Sequence, residues 1–363
     1  MVFPIVAGAV VCGGLLYYVF RKKGEPVKNS ESNAAAAITQ SLESDKSTPS
    51  AAGWGDPNRK IPDEESEELL VKADAEKLDL NHARIRKIEG LDFLTHIKEI
   101  CFRQNLIKKI ENLDKLTTLV DLELYDNQIE KIEGLTTLVN LKNLDLSYNR
   151  LRKIENLDAL VNLKKLYFVH NKIVKIENLE NLKSLELLEL GDNRIRTIEN
   201  IEHLTTLKHL FLGKNKIPKI QGLETLVNLV NLSLPANRIR KMEGFATLLN
   251  LKELYISENG IGKIEGLENN KELEILDLAV NLVVRIENVA HLQNLTDFWF
   301  NDNKLESWPD IDKELRVLPK LTTVYFERNP LWENNAAYRR KMMLALPQVA
   351  RIDAIPVKPG YHY

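Results

Sequence analysis

Cysteine and net charge are both scarce in this sequence. The 363 residues include two cysteines, Cys12 in an apolar segment and Cys101 in a repeat strand, and regions so different make a disulfide framework implausible. A reducing compartment is therefore favoured. Lysine and arginine number 50 against 52 aspartates and glutamates, which gives a formal net charge of -2. No bulk basic field thus favours nucleic acid or an anionic membrane surface as the main partner.

Recognisable catalytic and metal-binding patterns are also missing from the sequence. The seven histidines have no metal-ligand spacing with one another or with the cysteines. No glycine-rich phosphate loop, G-x-S-x-G elbow or H-E-x-x-H sequence occurs. We therefore expect the chain to be no enzyme and to bind neither a metal ion nor a cofactor.

What the sequence does contain is a period of 22 residues. The pattern L-x-x-L-x-L-x-x-N-x-I recurs at this step, and such repetition predicts a solenoid. A degenerate copy from Leu78 to Ile85 precedes the series, and a last copy with Asn329 follows after a 26-residue step. The pattern is that of leucine-rich repeats and predicts about twelve turns. The asparagines at 22-residue steps are Asn105, Asn127, Asn149, Asn171, Asn193, Asn215, Asn237, Asn259, Asn281 and Asn303.

Each turn is predicted to contribute one short strand to a parallel sheet. In Leu122-Glu123-Leu124, the alternation directs the leucines inward and the residue between them onto the concave surface. The asparagine amide is expected to bond the free backbone groups where the chain leaves the strand, which gives an internal ladder. The predicted fold is an α/β leucine-rich-repeat solenoid with a parallel concave sheet and a C-terminal helical cap.

The predicted boundaries divide the chain into four segments. Residues 74–328 hold the leucine-rich repeats. Residues 329–363 form a C-terminal cap and tail, in which positions 338–347 read as a helix with one apolar face. Residues 24–73 are predicted to be a disordered linker that carries an acidic run.

The apolar segment of residues 1–23 stands apart from the repeats. From Val2 to Phe20 the apolar residues are almost uninterrupted, and three basic residues follow at once. At 1.5 Å per residue about 19 residues span ~28 Å, close to the thickness of a bilayer core. This predicts a candidate membrane anchor that keeps the solenoid facing the cytosol. The alternative is a divergent start of an otherwise soluble protein, since glycines in the segment weaken helix propensity.

The residue between the two leucines of each strand defines the predicted concave surface. Carboxylates and aromatic rings predominate there, and nothing in solenoid packing requires Phe211 or Trp299 to face water. Such a surface is suited to a protein partner that presents Lys or Arg, and it repels phosphate backbones. The residues are Asp79, Cys101, Glu123, Asp145, Tyr167, Glu189, Phe211, Ser233, Tyr255, Asp277, Trp299 and Tyr325.

Several blocks of the sequence resemble the leucine-rich-repeat regulatory subunits of protein phosphatase 1. They are the Ile-Glu-[Asn/Gly]-Leu repeats, the strand from Phe211 to Lys216, the aromatic block from Phe298 to Trp308 and the end from Glu327. The resemblance implies a non-catalytic subunit that binds the catalytic subunit of protein phosphatase 1. It further implies control of that enzyme's activity, maturation or localisation, including in mitosis, and a location in nucleus and cytoplasm.

The resemblance also implies which concave residues contact the phosphatase. Tyr167 stands where the family has Phe and Asp297 where it has Glu, and both substitutions keep the character of the contact. The residues themselves leave open a cytosolic or membrane-tethered scaffold for another protein. A ribonucleoprotein scaffold is disfavoured, since its concave surface should be basic. The positions that match the family's contacts are Asp145, Tyr167, Glu189, Phe211, Asp277, Asp297, Trp299 and Tyr325.

Overall fold

The chain folds into a solenoid whose turns stack along one parallel sheet. The computed structural model describes residues 5–12, 15–22, 69–333 and 336–357. Within these ranges twelve three-residue strands, β4 to β15, pair in sequence order. The predicted α/β leucine-rich-repeat solenoid is therefore confirmed. The elements are β1 (Ile5–Cys12), β2 (Leu15–Lys22), β3 (Leu69–Lys72), β4 (Lys77–Asp79), β5 (Glu99–Cys101), β6 (Asp121–Glu123), β7 (Asn143–Asp145), β8 (Lys165–Tyr167), β9 (Leu187–Glu189), β10 (His209–Phe211), β11 (Asn231–Ser233), β12 (Glu253–Tyr255), β13 (Ile275–Asp277), β14 (Asp297–Trp299), α1 (Trp308–Glu314), β15 (Thr323–Tyr325), α2 (Pro330–Glu333), α3 (Tyr338–Ala345), β16 (Arg351–Ile352) and β17 (Ile355–Pro356).

Leucines and isoleucines fill the interior of every turn. In β6, Leu122 is fully buried between the half-buried Asp121 and Glu123, because side chains of a strand alternate between its two faces. Ile129 and Ile132 of the same turn's return segment are fully buried too. Stacking joins these residues into one core that runs the length of the sheet. No turn can therefore bury its apolar side chains without its neighbours.

The asparagine of each repeat connects the backbones of two successive turns. The Asn127 amide nitrogen donates to the carbonyl oxygens of Phe102 at 2.9 Å and Leu124 at 3.1 Å. Its side-chain oxygen accepts the backbone N–H of Ile107 at 3.0 Å. Because Phe102 and Ile107 belong to the preceding turn, one side chain satisfies buried polar groups of both turns. The predicted asparagine ladder is confirmed by these bonds and by their equivalents in the following turns.

The return segment bends sharply where the sequence alternates between asparagine and glycine. Asn112 has a φ of 58° and Gly134 a φ of 70°, in the left-handed region that most residues avoid. The Asn112 side chain also donates to the carbonyl oxygen of Ile88 at 2.7 Å. At Gly134, an added Cβ would lie 2.5 Å from the carbonyl oxygen of Ile110. Backbone geometry therefore explains the Asn or Gly of the Lys-Ile-Glu-[Asn/Gly]-Leu sequence.

The apolar amino-terminal segment forms strands where the sequence predicts a helix. β1 and β2 pair antiparallel, from Ile5 opposite Lys22 to Cys12 opposite Leu15, and β2 pairs antiparallel with β3. The helical prediction for residues 2–20 is therefore wrong for the part of this segment that the structure describes. β1 contains three valines and β2 contains three aromatic residues, and both kinds of residue fit an extended backbone well. The predicted linker lies outside the described residues up to position 68.

No helix in residues 5–12, 15–22, 69–333 and 336–357 has both the length and the apolar character needed to cross a bilayer. The helices in these ranges are short and lie near the carboxyl-terminal end of the sheet. The longest of them, α3, has eight residues.

Short helices and two further strands close the carboxyl-terminal end of the sheet. The 26-residue step before β15 accommodates α1, whose Glu314 carboxylate accepts two backbone N–H groups of the preceding turn at 3.1 and 3.2 Å. β16 pairs parallel with β15, and β17 pairs antiparallel with β16. Asp353 accepts the backbone N–H of Phe326 and the hydroxyl of Tyr338, each at 2.7 Å. These bonds hold α3 against the last turn, where it helps to cover the edge of the sheet.

Candidate partner-binding surface

The last residue of each strand lies at the centre of the concave surface, and these residues form one continuous row. Parallel pairing in register sets each of them beside its equivalent in the next turn, about 4.8 Å away. Most are half-buried, whereas Asp79 is exposed and Asp277 is buried. We refer to these residues as the central row, which comprises Asp79, Cys101, Glu123, Asp145, Tyr167, Glu189, Phe211, Ser233, Tyr255, Asp277, Trp299 and Tyr325.

Seven of the eight residues predicted to bind a partner lie in the central row, in two groups. The first group lies on β7 to β10 and the second on β13 to β15. Ser233 and Tyr255 separate the groups. Asp297, the eighth residue, begins β14 two positions before Trp299 and so lies in the neighbouring row. The first group is Asp145, Tyr167, Glu189 and Phe211, and the second is Asp277, Trp299 and Tyr325.

The carboxylates of the central row hold their own turns as well as facing the concave side. One oxygen each of Asp145, Asp277 and Glu189 accepts the backbone N–H two residues further on, at 2.8, 2.9 and 2.7 Å. The same bond occurs at Asp79. These bonds satisfy an N–H group where the chain leaves the strand. This structural role was not predicted from the sequence, although an acid two residues before the turn is a recognisable signal for it.

Burial changes the protonation chemistry of two of these carboxyl groups. Desolvation raises the pKa of Glu189 to about 7, although the hydrogen bond from Gly191 opposes that rise. Burial also raises the pKa of Asp277, against the effect of hydrogen bonds from Ser257 and Ala279. A desolvated carboxylate attracts a cation more strongly than one in water does. Both sites are therefore suited to a partner's ammonium or guanidinium group.

Three aromatic rings are in contact at the carboxyl-terminal end of the central row. The Trp299 ring centroid lies 6.0 Å from those of Tyr255 and Tyr325, with an edge-on arrangement toward Tyr325. The Trp299 indole nitrogen is buried and has no hydrogen-bond partner within the described residues. Such rings bury a large area with little loss of side-chain freedom when a partner covers them. Phe211 makes a comparable pair with His209, at 6.5 Å between ring centroids.

A polar cluster beside these rings was not predicted from the sequence. The Glu253 carboxylate accepts hydrogen bonds from the Asn231 amide and from the Tyr255 hydroxyl, the latter at 3.1 Å. Burial, together with the neighbouring acids, raises the pKa of Tyr255 to about 12. Asp297 lies in the same surface and accepts the hydroxyl of Thr296 at 2.7 Å. Residues one row away from the central row, such as Glu253, therefore help to orient its side chains. The positions of the strand ends in the sequence do not predict these contacts.

A second line of side chains, also missed by the sequence analysis, borders the amino-terminal half of the concave sheet. The Arg103 guanidinium lies 4.5 Å from the ring centroid of Tyr125, which in turn lies 4.8 Å from that of Tyr148. Tyr148 stacks on His170 at 4.8 Å, and a His170 ring nitrogen lies 2.6 Å from an Asp192 oxygen. These contacts join residues of neighbouring turns, so the sequence of a single repeat does not predict them.

The side chains of the concave surface are suited to contact with another protein. Within the ranges that the structure describes, no group of three or more His, Cys, Asp or Glu side chains is placed to hold a metal ion. The arrangement presents desolvated carboxylates and clustered rings along neighbouring strands. It can bind a basic, partly apolar protein surface.

Comparison with known sequences agrees with the repeat pattern. A profile described as Leucine Rich repeats (2 copies) matches residues 117–159 and 161–203. The fold is that of leucine-rich-repeat proteins. Protein phosphatase 1 regulatory subunit 7 of Mus musculus is 57% identical over 54 residues, 15% of this chain and 14% of that protein. Protein phosphatase 1 regulatory subunit SDS22 of Schizosaccharomyces pombe is 54% identical over 52 residues, 14% of this chain and 16% of that protein.

These matches are local. The matched part of the chain spans about one seventh of the length of the mouse protein. Human protein phosphatase 1 regulatory subunit 7 gives the same figures, 57% identity over 54 residues. The expected resemblance to leucine-rich-repeat regulatory subunits of protein phosphatase 1 is thereby confirmed over a part of the chain.

Solved structures of other leucine-rich-repeat proteins share the fold. An internalin of Listeria monocytogenes superposes with a TM-score of 0.64 at 22% identity and covers 79% of this chain and 90% of its own. A leucine-rich-repeat protein of Leptospira interrogans gives a TM-score of 0.65 at 23% identity over 72% of this chain and 73% of its own. At such identities the likeness concerns the solenoid alone.

Proposed function

We propose that the chain is a non-catalytic regulatory subunit that binds the catalytic subunit of protein phosphatase 1 through its concave surface. The local relatives are named as regulatory subunits of that enzyme. The proposed contacts are the two groups of the central row together with Asp297. A purely structural role does not account for the half-buried rings of Phe211, Trp299 and Tyr325 on this surface.

The observation that carries the proposal is the register of the central row. Carboxylates and rings come from consecutive strands at about 4.8 Å spacing. They therefore form one surface, with a charge that favours a partner rich in Lys or Arg. Aromatic anchors such as Phe211 and Trp299 each contribute about 2 kcal/mol or more when a partner desolvates them.

The family resemblance supplies the finer part of the proposal. It implies control of the phosphatase's activity, maturation or localisation, including in mitosis, and a location in nucleus and cytoplasm. In this role the chain supplies a rigid surface, and the chemistry belongs to the enzyme that it holds.

A capture experiment with purified proteins tests the proposal. The immobilised chain and its Phe211→Ala, Trp299→Ala double variant are incubated with the phosphatase catalytic subunit. We expect the double variant to lose most of the capture. Trp332→Ala is the matched control, because Trp332 is 39% exposed and lies in α2, outside the concave surface. Circular dichroism checks that each variant is folded.

Undiminished capture by the folded double variant contradicts the concave-surface proposal. If the wild-type chain does not capture the phosphatase but retains another protein from cell extract, and the double variant does not, the scaffold alternative is favoured.

A further inference from the structure

A second charged surface lies on the side of the solenoid, where the chain has left the concave sheet. It is formed by the residues that directly follow each ladder asparagine and by those two positions further on. In five consecutive turns eight of these ten positions carry lysine or arginine, and Val174 and Pro218 occupy the other two, although the whole chain has a net charge of -2. We refer to the eight cationic residues as the lateral row, which comprises Arg150, Arg152, Lys172, Arg194, Arg196, Lys216, Arg238 and Arg240.

Backbone bonds fix the lateral row in register. The N–H of Lys172 donates to the carbonyl oxygen of Leu151 at 2.8 Å, and that of Arg194 donates to Ile173 at 2.8 Å. The same bond recurs at every turn of the row, so its first residues are stacked one above another. At about 4.8 Å per turn, the five turns extend over roughly 19 Å.

The cations of the lateral row have no acidic partners among the residues that the structure describes. Elsewhere, exposed lysines do find carboxylates, as Lys164 and Lys208 find Glu186 at 3.0 and 2.9 Å. Six of the eight lateral-row residues are exposed, and Lys172 and Lys216 are half-buried. Unpaired like charges at this spacing repel one another. An anionic ligand along the row would relieve that repulsion.

The lateral row ends in a notch formed by two glycines. Gly260 and Gly262 occupy the two lateral-row positions of the next turn, and neither has a positive φ. A Cβ added to Gly262 would meet nothing within 4 Å, and at Gly260 it would make ordinary contacts at 3.5 Å. Folding therefore does not require glycine at either position. What the two glycines provide is open space, with the Arg240 side chain at one border.

Exposed apolar side chains lie on the far side of this notch. Leu282 and Val284 occupy the same two positions one turn later and are 54% and 55% exposed, and Val280 nearby is 45% exposed. Three exposed apolar residues within five positions make a contiguous patch, which is characteristic of an interaction site. Along the side of the solenoid, the cationic lateral row is thus followed by the glycine notch and then by an apolar patch.

We infer that the lateral row, the glycine notch and the Leu282–Val284 patch together bind an extended acidic protein segment that ends in apolar side chains. From Arg150 to Leu282 the path covers about 29 Å, the length of about nine residues of extended chain at 3.3 Å each. Acidic side chains along most of this length would pair with the lateral row. The apolar end would cross the notch and cover Leu282 and Val284.

Two observations favour a peptide over nucleic acid. Carboxylates flank the anion-attracting region in the chain, since Asp145 and Glu189 of the central row precede it and the glutamates of the return segments follow it, namely Glu155, Glu177, Glu199 and Glu243. A phosphate backbone wide enough to reach several turns would meet these carboxylates. The apolar patch also has no role in phosphate binding, whereas it suits the leucine or phenylalanine side chains of a protein segment.

The test uses the full chain and a fluorescein-labelled peptide of about nine residues, with about six aspartates and glutamates followed by glycine and two leucines. Fluorescence anisotropy gives the dissociation constant at about 50 mM and about 300 mM NaCl. A peptide with glutamine and asparagine in place of the acids, an acidic peptide without the leucines and an oligouridylate are measured beside it. We expect the acidic peptide with leucines to bind most tightly and to weaken at the higher salt concentration.

Three variants locate the site. A lateral-row variant (Lys172→Ser, Arg194→Ser, Lys216→Ser, Arg238→Ser) should weaken binding at least about tenfold. A matched variant (Lys142→Ser, Lys164→Ser, Lys208→Ser, Lys252→Ser) removes the same charge from the opposite edge of the strands and should change binding less than about twofold. Leu282→Ser with Val284→Ser should weaken only the peptide that has leucines.

Several results would overturn the inference. If the lateral-row and matched variants weaken peptide binding equally, the binding depends only on the net charge of the chain. Tighter binding of the oligouridylate, lost in the lateral-row variant, would assign the surface to nucleic acid. Absence of peptide binding by the folded wild-type chain would leave no ligand site there. Since Phe211 and Trp299 lie on the concave surface, their alanine variants should bind the peptide normally, which separates this inference from the proposed phosphatase contact.

Discussion

The interior of the solenoid and its central row are built from the same repeats, yet they differ in how much they vary. Inside, nearly every turn repeats the same leucines, isoleucines and bridging asparagine. Along the central row, the residue changes from carboxylate to ring to hydroxyl between adjacent strands. Stacking requires identical shapes at the interior positions, whereas a half-buried outward position tolerates many side chains. Repetition therefore indicates residues that fold the chain, and departure from it indicates residues available for binding.

The largest expected effect is on the interior side of this comparison. In Asn193→Ala, the N–H of Ile173 loses its bond of 3.0 Å, and the carbonyl oxygen of Phe168 loses one bond of 2.9 Å but keeps the bond from Asn171. The buried N–H left unsatisfied, together with the lost bond to Phe168, should lower the free energy of unfolding by about 2–3 kcal/mol. Urea denaturation followed by circular dichroism measures this, and Ser233→Ala on the central row is the control with little expected change. A loss below about 0.5 kcal/mol would show that the ladder is dispensable.

The next effect should fall on binding and spare folding. Phe211→Ala removes a half-buried ring of the central row, so we expect phosphatase affinity to fall by about 2 kcal/mol, or about thirtyfold. The free energy of unfolding should change by less than about 1 kcal/mol, because the ring lies outside the interior core. Surface plasmon resonance and urea denaturation of the same preparation separate the two quantities. A large loss in the free energy of unfolding with normal phosphatase affinity would show that Phe211 serves folding and not binding.

A pH dependence should appear where the two regions meet, at Glu189. Burial raises the pKa of this carboxyl to about 7 from 4.5, so the folded chain holds the proton more tightly than the unfolded chain. The carboxyl therefore favours folding below about pH 4.5, and this contribution is lost as the pH rises to about 7. Glu189→Gln, which cannot ionise, should gain about 1–2 kcal/mol relative to wild type between pH 5 and about pH 8.

The measurement for Glu189 is urea denaturation across that pH range. Glu243→Gln serves as the control, since Glu243 belongs to a surface Lys-Ile-Glu-type sequence and lies 3.5 Å from Lys241. The quantity of interest is the difference in free energy of unfolding between Glu189→Gln and wild type. If this difference stays constant at all pH values, the carboxyl is already ionised well below pH 7.

The smallest effect should come from the exposed ion pairs between turns. Hydrogen bonds from Lys208 and Lys164 lower the pKa of Glu186 to about 2. Its side chain is nevertheless 33% exposed and those of the lysines about half, and solvent screens the attraction. Glu186→Gln should therefore change the free energy of unfolding by less than about 0.5 kcal/mol. Thermal melts at low and high salt provide the check, and a change above 1 kcal/mol would be inconsistent with weak surface pairs.

Much of the fold follows from the sequence because a short pattern repeats. The 22-residue period predicts the parallel sheet, the buried leucines and the asparagine ladder, and each of these is confirmed in the described residues. It also predicts which residue of each strand faces outward. The positions of Asp145 and Trp299 at the centre of the concave surface follow from register alone.

The remaining features depend on contacts that one repeat does not encode. An apolar run such as residues 2–20 suits either a helix or strands, and the pairing of β1 with β2 and of β2 with β3 distinguishes them. The bond between Arg285 and Asp310, at 2.9 Å, depends on α1 being inserted before β15. The raised pKa of Glu189 depends on how completely its neighbours cover it. Whether the eight predicted residues bind a partner stays a prediction.

Each turn of the solenoid is held only by the turns on either side of it. In a stack of this kind, fraying begins at an end and spreads inward one unit at a time. A partner that touches β7 and β15 together would link turns that are not in direct contact with each other. Occupancy of the concave surface should then lengthen the block that melts as one unit, and hydrogen exchange would slow even in turns that the partner never touches.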